Sequence, residues 1–402
     1  MSRLISLLLA LLLSTGAMLS DPASESREAG FLFPPYETLL SAPGLQARCL
    51  MREMTLEEQI GQLFLIRPES LSEDLTPAMV HHGTFFGLTQ WDPALTGRMT
   101  QRPPGGVILF GKNIIDPDQL TLLLDQLSAA APYPLFLAID EEGGRVARIG
   151  NNPHFSVPRY ESMETITRPE DAFLAGTAIG SYLKDYGFQI NFAPVADVNT
   201  NPDNVIIGDR AFGDDPQQVA LLVREMVRGY EAAGILPCLK HFPGHGDTHD
   251  DTHHGAVVLE KSWEELLDCE LIPFLASLED TPLIMVSHIT LPNVTTDGLP
   301  ASLSYQLITE KLRHELGYQG LIVTDSLAMG AVTDHYDSGQ AALMAFQAGA
   351  DLLLMPEDYA LAFDSLLQAA EEGVISRERL EKSVLRVLTW KARAGLIGTN
   401  PS

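Results

Sequence analysis

Two stretches of this sequence carry residues suited to nucleophilic or acid–base chemistry. In Gly320-Leu321-Ile322-Val323-Thr324-Asp325-Ser326-Leu327, an apolar run delivers a carboxylate at its last residue. A carboxylate held on a rigid strand end suits a nucleophile. A helix N-cap ahead of Leu327-Ala328-Met329 is the competing reading. The second stretch runs from Lys240 to His254 and holds five histidines: His241, His245, His249, His253 and His254. The first four repeat every fourth residue, a spacing that would align metal ligands on a helix. Pro243, Gly244 and Gly246 oppose a helix there, so the segment reads as a loop leaving a strand and a metal site loses its geometric support. Acid–base work is the other chemistry. Histidine titrates near neutrality, and Asp251 stands two residues before His253, where a carboxylate can orient the ring and raise its pKa.

Such groups need rigid supports, and the sequence supplies a regular set. Eight short, nearly continuous apolar runs stand at Gln62–Ile66, Gly106–Phe110, Leu135–Asp140, Gln189–Val195, Leu236–Phe242, Leu283–Ser287, Leu321–Asp325 and Asp351–Met355. Runs of this kind are expected of parallel strands buried on both faces. Helix signals lie between them. Thr55 with Glu58 and Ser262 with Glu265 make capping boxes. Asp116-Pro117 and Asp215-Pro216 place a cap before a proline at the first helical position. Gly187, Gly317, Gly349 and Gly373 close helical segments. The alternation predicts an α/β fold, a (β/α)8 TIM-type barrel forming a single catalytic domain. A doubly wound open sheet is the rival, but Arg67-Pro68-Glu69 follows the first run where a glycine fingerprint is usual. Ser376–Gly395 reads as one closing helix, with no second domain expected after Met355. In such a barrel the C-terminal strand ends form the active face, so Asp140, Asp197, Lys240, His241, His288 and Asp325 are the polar residues to inspect.

The chain has 402 residues, with 26 Lys plus Arg against 53 Asp plus Glu, a formal net charge of −27. That balance argues against nucleic acid and against anionic lipid, since both need a basic face. Arg3, the apolar run Leu4–Leu13 and the small residues Ser14 to Ser20 describe a secretory signal peptide over 1–20. An uncleaved anchor is the alternative. Residues 21–42 read as an N-terminal arm, and 43–402 as the catalytic domain. The expected location is secreted or periplasmic. Cys49, Cys238 and Cys269 make neither a disulfide framework nor a zinc ribbon, and Cys238 reads as an inert core residue. One disulfide is open to them.

Lys240 to His253 resembles the signature of family 3 glycoside hydrolases of the β-N-acetylhexosaminidase type. The family pattern K-H-F-P-G-H-G, a spacer and Asp-Ser-His is matched in register, with Thr252 for the serine. Register favours His253 over His254. Asp140-Glu141-Glu142-Gly143-Gly144-Arg145-Val146 is similar to the family's D-[QE]-E-G-G-R-V. Asn191–Asn199, Ile207–Gly213 and Leu321–Ala331 resemble further family segments, and the likeness extends over roughly residues 43 to 395. The resemblance implies a retaining glycosidase acting on terminal β-linked N-acetylglucosamine, with a peptidoglycan fragment as the expected source. It implies Asp325 as nucleophile, His253 as acid–base, Asp251 as its orienting partner, and Asp140, Arg148, Arg210, Lys240 and His241 as sugar-binding residues. It implies no metal and no cofactor; the partner is a carbohydrate substrate. Phosphorolysis is a minor variant, because a neutral imidazole tolerates an anionic acceptor that a carboxylate would repel. The alternatives are a metal-dependent barrel hydrolase built on the histidine loop and a non-catalytic cell-wall sugar-binding protein.

Overall fold

The computed structural model describes residues 41–81, 87–248 and 257–398. They belong to one compact unit, Phe33–Ser402; the other unit, Met1–Leu32, lies outside the described residues. The expected signal peptide and the arm up to residue 40 therefore lie outside them too. Ser41 caps a helix over Ala42–Glu53 by accepting from the Gly44 N–H.

The strands in chain order are β1 (Phe64–Ile66), β2 (Gly106–Leu109), β3 (Phe136–Ile139), β4 (Ile190–Asn191), β5 (Leu236–Phe242), β6 (Val257–Val258), β7 (Leu283–Val286), β8 (Ile289–Thr290), β9 (Leu321–Thr324) and β10 (Leu353–Leu354). Eight of them form one sheet in the order β10-β1-β2-β3-β4-β5-β7-β9. Its pairs are parallel, and a parallel bridge between Val323 and Leu352 joins the two edges. The result is the (β/α)8 barrel that the alternation predicts, and each barrel strand lies inside one of the eight apolar runs. β4 is confined to two residues of its run, and pairing to β5 resumes at Val195, which bridges Lys240.

The runs are apolar throughout because both faces of each strand are covered. Leu65, Ile108, Phe136, Ala138, Cys238, Met285 and Val323 pack together in one cluster. Their alternate neighbours Phe64, Val107, Leu137, Leu239 and Ile284 pack instead with helix residues such as Leu123 and Val223. Burial pushes the Cys238 thiol up, and all three cysteines are free thiols, so the disulfide left open does not form.

The capping signals do what their chemistry predicts. Both capping boxes form, and Asp116 and Asp215 accept from backbone N–H groups at the starts of Pro117–Ala130 and Pro216–Ala233. The helices Pro169–Tyr186 and Pro216–Ala233 pack closely because Gly176 and Gly229 let the backbones meet. A Cβ on either would stand 2.4 Å from a carbonyl oxygen of the other helix. The helix Arg377–Arg393 closes the N-terminal end of the barrel. From it, Lys391 reaches Gln62 Oε1 and the Pro134 carbonyl at 2.6 Å, and Arg386 reaches Asp351 at 2.6 Å. Among the described residues no helix is long and apolar enough to cross a membrane.

Candidate active site

The opposite, C-terminal end of the barrel is where polar groups gather. β9 ends at Thr324 and presents Asp325 next. The Asp325 N–H donates to the Val286 carbonyl at 2.8 Å, which fixes the residue to the end of β7. Its Oδ1 accepts from the Ser326 N–H at 2.7 Å. The N-cap reading fails here: the following helix, Gly330–Thr333, has Met329 at its cap position. His288, just beyond β7, holds the turn from below, with Nε2 at 2.8 Å from the Ser326 carbonyl and Nδ1 at 2.6 Å from Ser302 Oγ.

A charged network stands on the ends of β3 and β5. Lys240 is 2% exposed, and its Nζ lies 2.8 Å from Asp140 Oδ1 and 2.5 Å from Glu142 Oε1. Arg210 meets Glu142 through two parallel bonds of 2.8 Å each. Arg148 lies 3.8 Å from Asp140 Oδ2 and over the Phe110 ring, whose centroid is also 5.3 Å from the Arg67 guanidinium. Two further residues hold the loops that carry these arginines. Glu141 accepts from the N–H groups of Arg148, Ile149 and Gly150 and from the Tyr182 hydroxyl. Arg145 donates to the carbonyls of Val205, Ile206 and Ile207, ahead of Arg210.

These contacts set the protonation states. Burial alone would raise the Glu142 carboxyl, but Lys240 and Arg210 hold it well below its ordinary value. Burial would lower the Lys240 amine, but Asp140 and Glu142 raise it. Burial also opposes the charge on Asp197, and His241 and His245 overcome it, so that this carboxyl too is depressed. A carboxylate depressed on folding stabilises the fold fully above its unfolded value and loses that contribution as pH falls. Stability is therefore expected to drop as pH falls below the ordinary values of 4.5 for Glu142 and 3.8 for Asp197. Urea midpoints between pH 7 and pH 3 check this, and Glu142→Gln should flatten the slope.

The histidine loop begins on β5. Asp197 accepts from the His241 Nδ1 at 2.7 Å, the His241 N–H at 3.2 Å and the His245 N–H at 2.7 Å. His241 lies on a strand and His245 on the turn after it, so the four-residue repeat does not align these two on a helix. Among the described residues no group of three or more His, Cys, Asp or Glu is placed to hold a metal ion.

A cavity of about 650 Å³ collects the site. Asp325, Asp140, Arg148, Arg210, Lys240 and His241 all line it, with Met285, Met329, Leu354 and Met355 supplying apolar surface. His253 and Asp251 lie outside the described residues. That stretch starts after Thr248 and ends at β6, which pairs with β8 next to His288. The sequence reading assigned no role to Glu142, Glu141 or Asp197. Glu142 and Glu141 lie inside a quoted family segment and Asp197 at a strand end, so position marked them. Nothing in the linear pattern marked their partners. Ionised carboxylates, paired cations and the strand-end carboxyl of Asp325 beside apolar surface suit the binding of a hydroxyl-rich ring and attack on one of its carbons.

Residues 55–390 match the N-terminal domain of glycosyl hydrolase family 3. Beta-hexosaminidase A of Pseudoalteromonas piscicida is 36% identical over 336 residues, covering 76% of this chain and 56% of that protein. Beta-hexosaminidase LpqI of Mycobacterium tuberculosis is 35% identical over 293 residues, covering 69% of this chain and 72% of that one. A solved family 3 beta-N-acetylglucosaminidase from Paenibacillus sp. str. FPU-7 is similar with a TM-score of 0.77 and 36% identity, over 85% of this chain and 63% of that chain. The chain thus spans little more than half the length of the first of these relatives.

Proposed function

The chain belongs to glycosyl hydrolase family 3, and from that premise we propose that it is a retaining β-N-acetylhexosaminidase. Its substrate on this reading is a terminal β-linked N-acetylglucosamine, carried on a peptidoglycan fragment, and its site of action is secreted or periplasmic. The observation that carries the reading is the placement of Asp325. It stands on a rigid strand end in a 650 Å³ cavity, facing polar groups suited to a sugar. The hexosaminidase relatives support the choice of sugar, and the apolar run Leu4–Leu13 supports the location.

The chemistry has two steps. Asp325 attacks the anomeric carbon; a C–O bond to the carboxylate forms, the bond to the leaving oxygen breaks, and that oxygen takes a proton from His253. Water then attacks the same carbon, gives its proton to His253 and frees Asp325. Most retaining enzymes use a second carboxyl for the proton work. Glu142 is unsuited, being held ionised between Lys240 and Arg210, and Asp140 is ion-paired with Lys240. That supports an acid from the His253 and Asp251 segment.

A panel of aryl β-glycosides of GlcNAc, GalNAc and glucose, with and without phosphate, tests the substrate. Preference for the glucoside overturns the sugar assignment, and dependence on phosphate overturns hydrolysis. Full binding without turnover supports the non-catalytic alternative. His253→Ala is expected to cost about 10²–10⁴-fold on a natural disaccharide, the usual range for a general acid. It should cost far less on an activated aryl glycoside, whose leaving group needs no proton. Equal losses on both substrates would remove His253 from the acid role.

A further inference from the structure

The Asp197 carboxylate is a fixed point where the chain leaves β4 and runs beside β5. The backbone is locked on both sides of it. The Ala196 N–H donates to the Lys240 carbonyl at 2.7 Å, and Val195 bridges Lys240 in parallel. On the other side the turn at Gly246 packs against Val198, whose carbonyl oxygen would stand 1.9 Å from a Cβ on that glycine. A Cβ on Gly244, at φ +131°, would stand 2.6 Å from the Glu270 Cβ, so the turn has no room to shift. Asp197 is fully buried and uses both oxygens. Oδ1 accepts from the backbone N–H groups of His241 and His245, at 3.2 and 2.7 Å. Oδ2 lies 2.7 Å from the His241 Nδ1.

These contacts decide where the His241 ring carries its proton. Burial opposes the charge on Asp197, but His241 and His245 hold its carboxyl below the ordinary value, so it is ionised at neutral pH. An ionised carboxylate has no proton to give, and at Nδ1 the ring must therefore donate. At the other ring nitrogen stands Arg210, whose Nη2 lies 3.4 Å from Nε2. A guanidinium has donors only, so Nε2 meets it as an acceptor. The same Nη2 donates to Glu142 at 2.8 Å. Asp197 thus begins a chain of contacts through His241 and Arg210 to Glu142, and these last three line the cavity that Asp325 lines.

We propose that Asp197 is a positioning residue, which holds His241 in the wall of the cavity with a proton on Nδ1 and an acceptor at Nε2, and which acts on the sugar through that ring. The proposal rests on the reading of His241 as a sugar-binding residue. A carboxylate behind an imidazole sets both the tautomer and the orientation of the ring.

Asp197→Asn separates this role from support of the fold. The two backbone N–H groups need an oxygen, so the amide oxygen stays with them and the NH2 faces Nδ1. Nδ1 must then accept, and the proton moves to Nε2, where it meets the Arg210 donors. Nitrogen NMR of the histidine-labelled protein at neutral pH reads this directly, with the His241 signals identified by their loss in His241→Gln. Wild type should show a protonated Nδ1 and a bare Nε2, and the Asn variant the reverse. On an aryl N-acetylglucosaminide the Asn variant should lose about 10–100-fold in kcat/KM, the scale on which carboxylates that orient metal-bound imidazoles matter. In a double-mutant cycle, adding Asp197→Asn to His241→Gln should cost little more than His241→Gln alone. A proton on Nε2 in wild type would overturn the proposal, and that measurement needs no variant to fold. An unchanged tautomer in the Asn variant, or losses that multiply in the double variant, would overturn it as well. Full kcat/KM in His241→Gln would overturn it together with the sugar-binding reading of His241. Wild type that turns over no GlcNAc glycoside would sink the proposed activity, while the spectra still decide whether Asp197 sets the ring.

Discussion

Asp325→Ala is expected to abolish turnover, with kcat on an aryl N-acetylglucosaminide falling by about five orders of magnitude or more, as when a covalent nucleophile is removed elsewhere. The reason is positional. Among the described residues of the cavity, Asp140 is paired with Lys240, and Glu142 with Lys240 and Arg210, and neither follows β9, so neither is placed to stand in for Asp325. Sugar affinity should survive, since the groups suited to hydroxyls stand on β3, β5 and the loops after β3 and β4 and not on β9. Asp325→Asn is the sharper test. It is nearly isosteric and can still accept from the Ser326 N–H, so it should fold as wild type and remain inactive. Kinetics with thermal denaturation check both. An Asn variant that keeps more than about a hundredth of the activity would point to another nucleophile.

Lys240→Met is expected to give the largest stability loss of any site substitution. The side chain is 3% exposed and neutralises both Asp140 and Glu142, of which Glu142 is 1% exposed. Removing one member of a buried ionic set leaves the others uncompensated and costs about 3–5 kcal/mol. For a domain of this size that is a Tm decrease on the order of 10 °C. Arg210 remains to hold Glu142 and tempers the loss. The double variant Lys240→Met with Glu142→Leu should recover part of the Tm, because the buried charge goes with its partner. It should not recover sugar binding, since Asp140 then loses its 2.8 Å partner and keeps Arg148 at 3.8 Å. Additive losses in the double variant would show that Lys240 and Glu142 do not act as one unit.

Much of the scaffold was legible in the chain. Strands buried on both faces need unbroken apolar runs, and all eight are present in order. Caps need a short polar side chain before the first turn, and Thr55, Asp116, Asp215 and Ser262 supply it. Because a parallel barrel points all its strand ends one way, Asp140, Lys240, His241 and Asp325 could be placed on one face from their positions alone. These features are local, or follow from the strand direction that the fold imposes.

The pairings were not local, and only the closed barrel made them. Glu142 meets Arg210 across 68 residues and Lys240 across the gap between β3 and β5. Phe110 meets the guanidinium groups of both Arg67 and Arg148, which arrive on separate loops. His288 looked like a site residue and instead holds the turn at Ser326. His245 looked like one more histidine of a rich loop. Two glycines, Asp197, Asn204 and Thr248 together fix the turn that carries it. Residue types and strand order determined which groups reach the active face of this protein. Which charges neutralise one another depended on distances that no spacing in the sequence encodes.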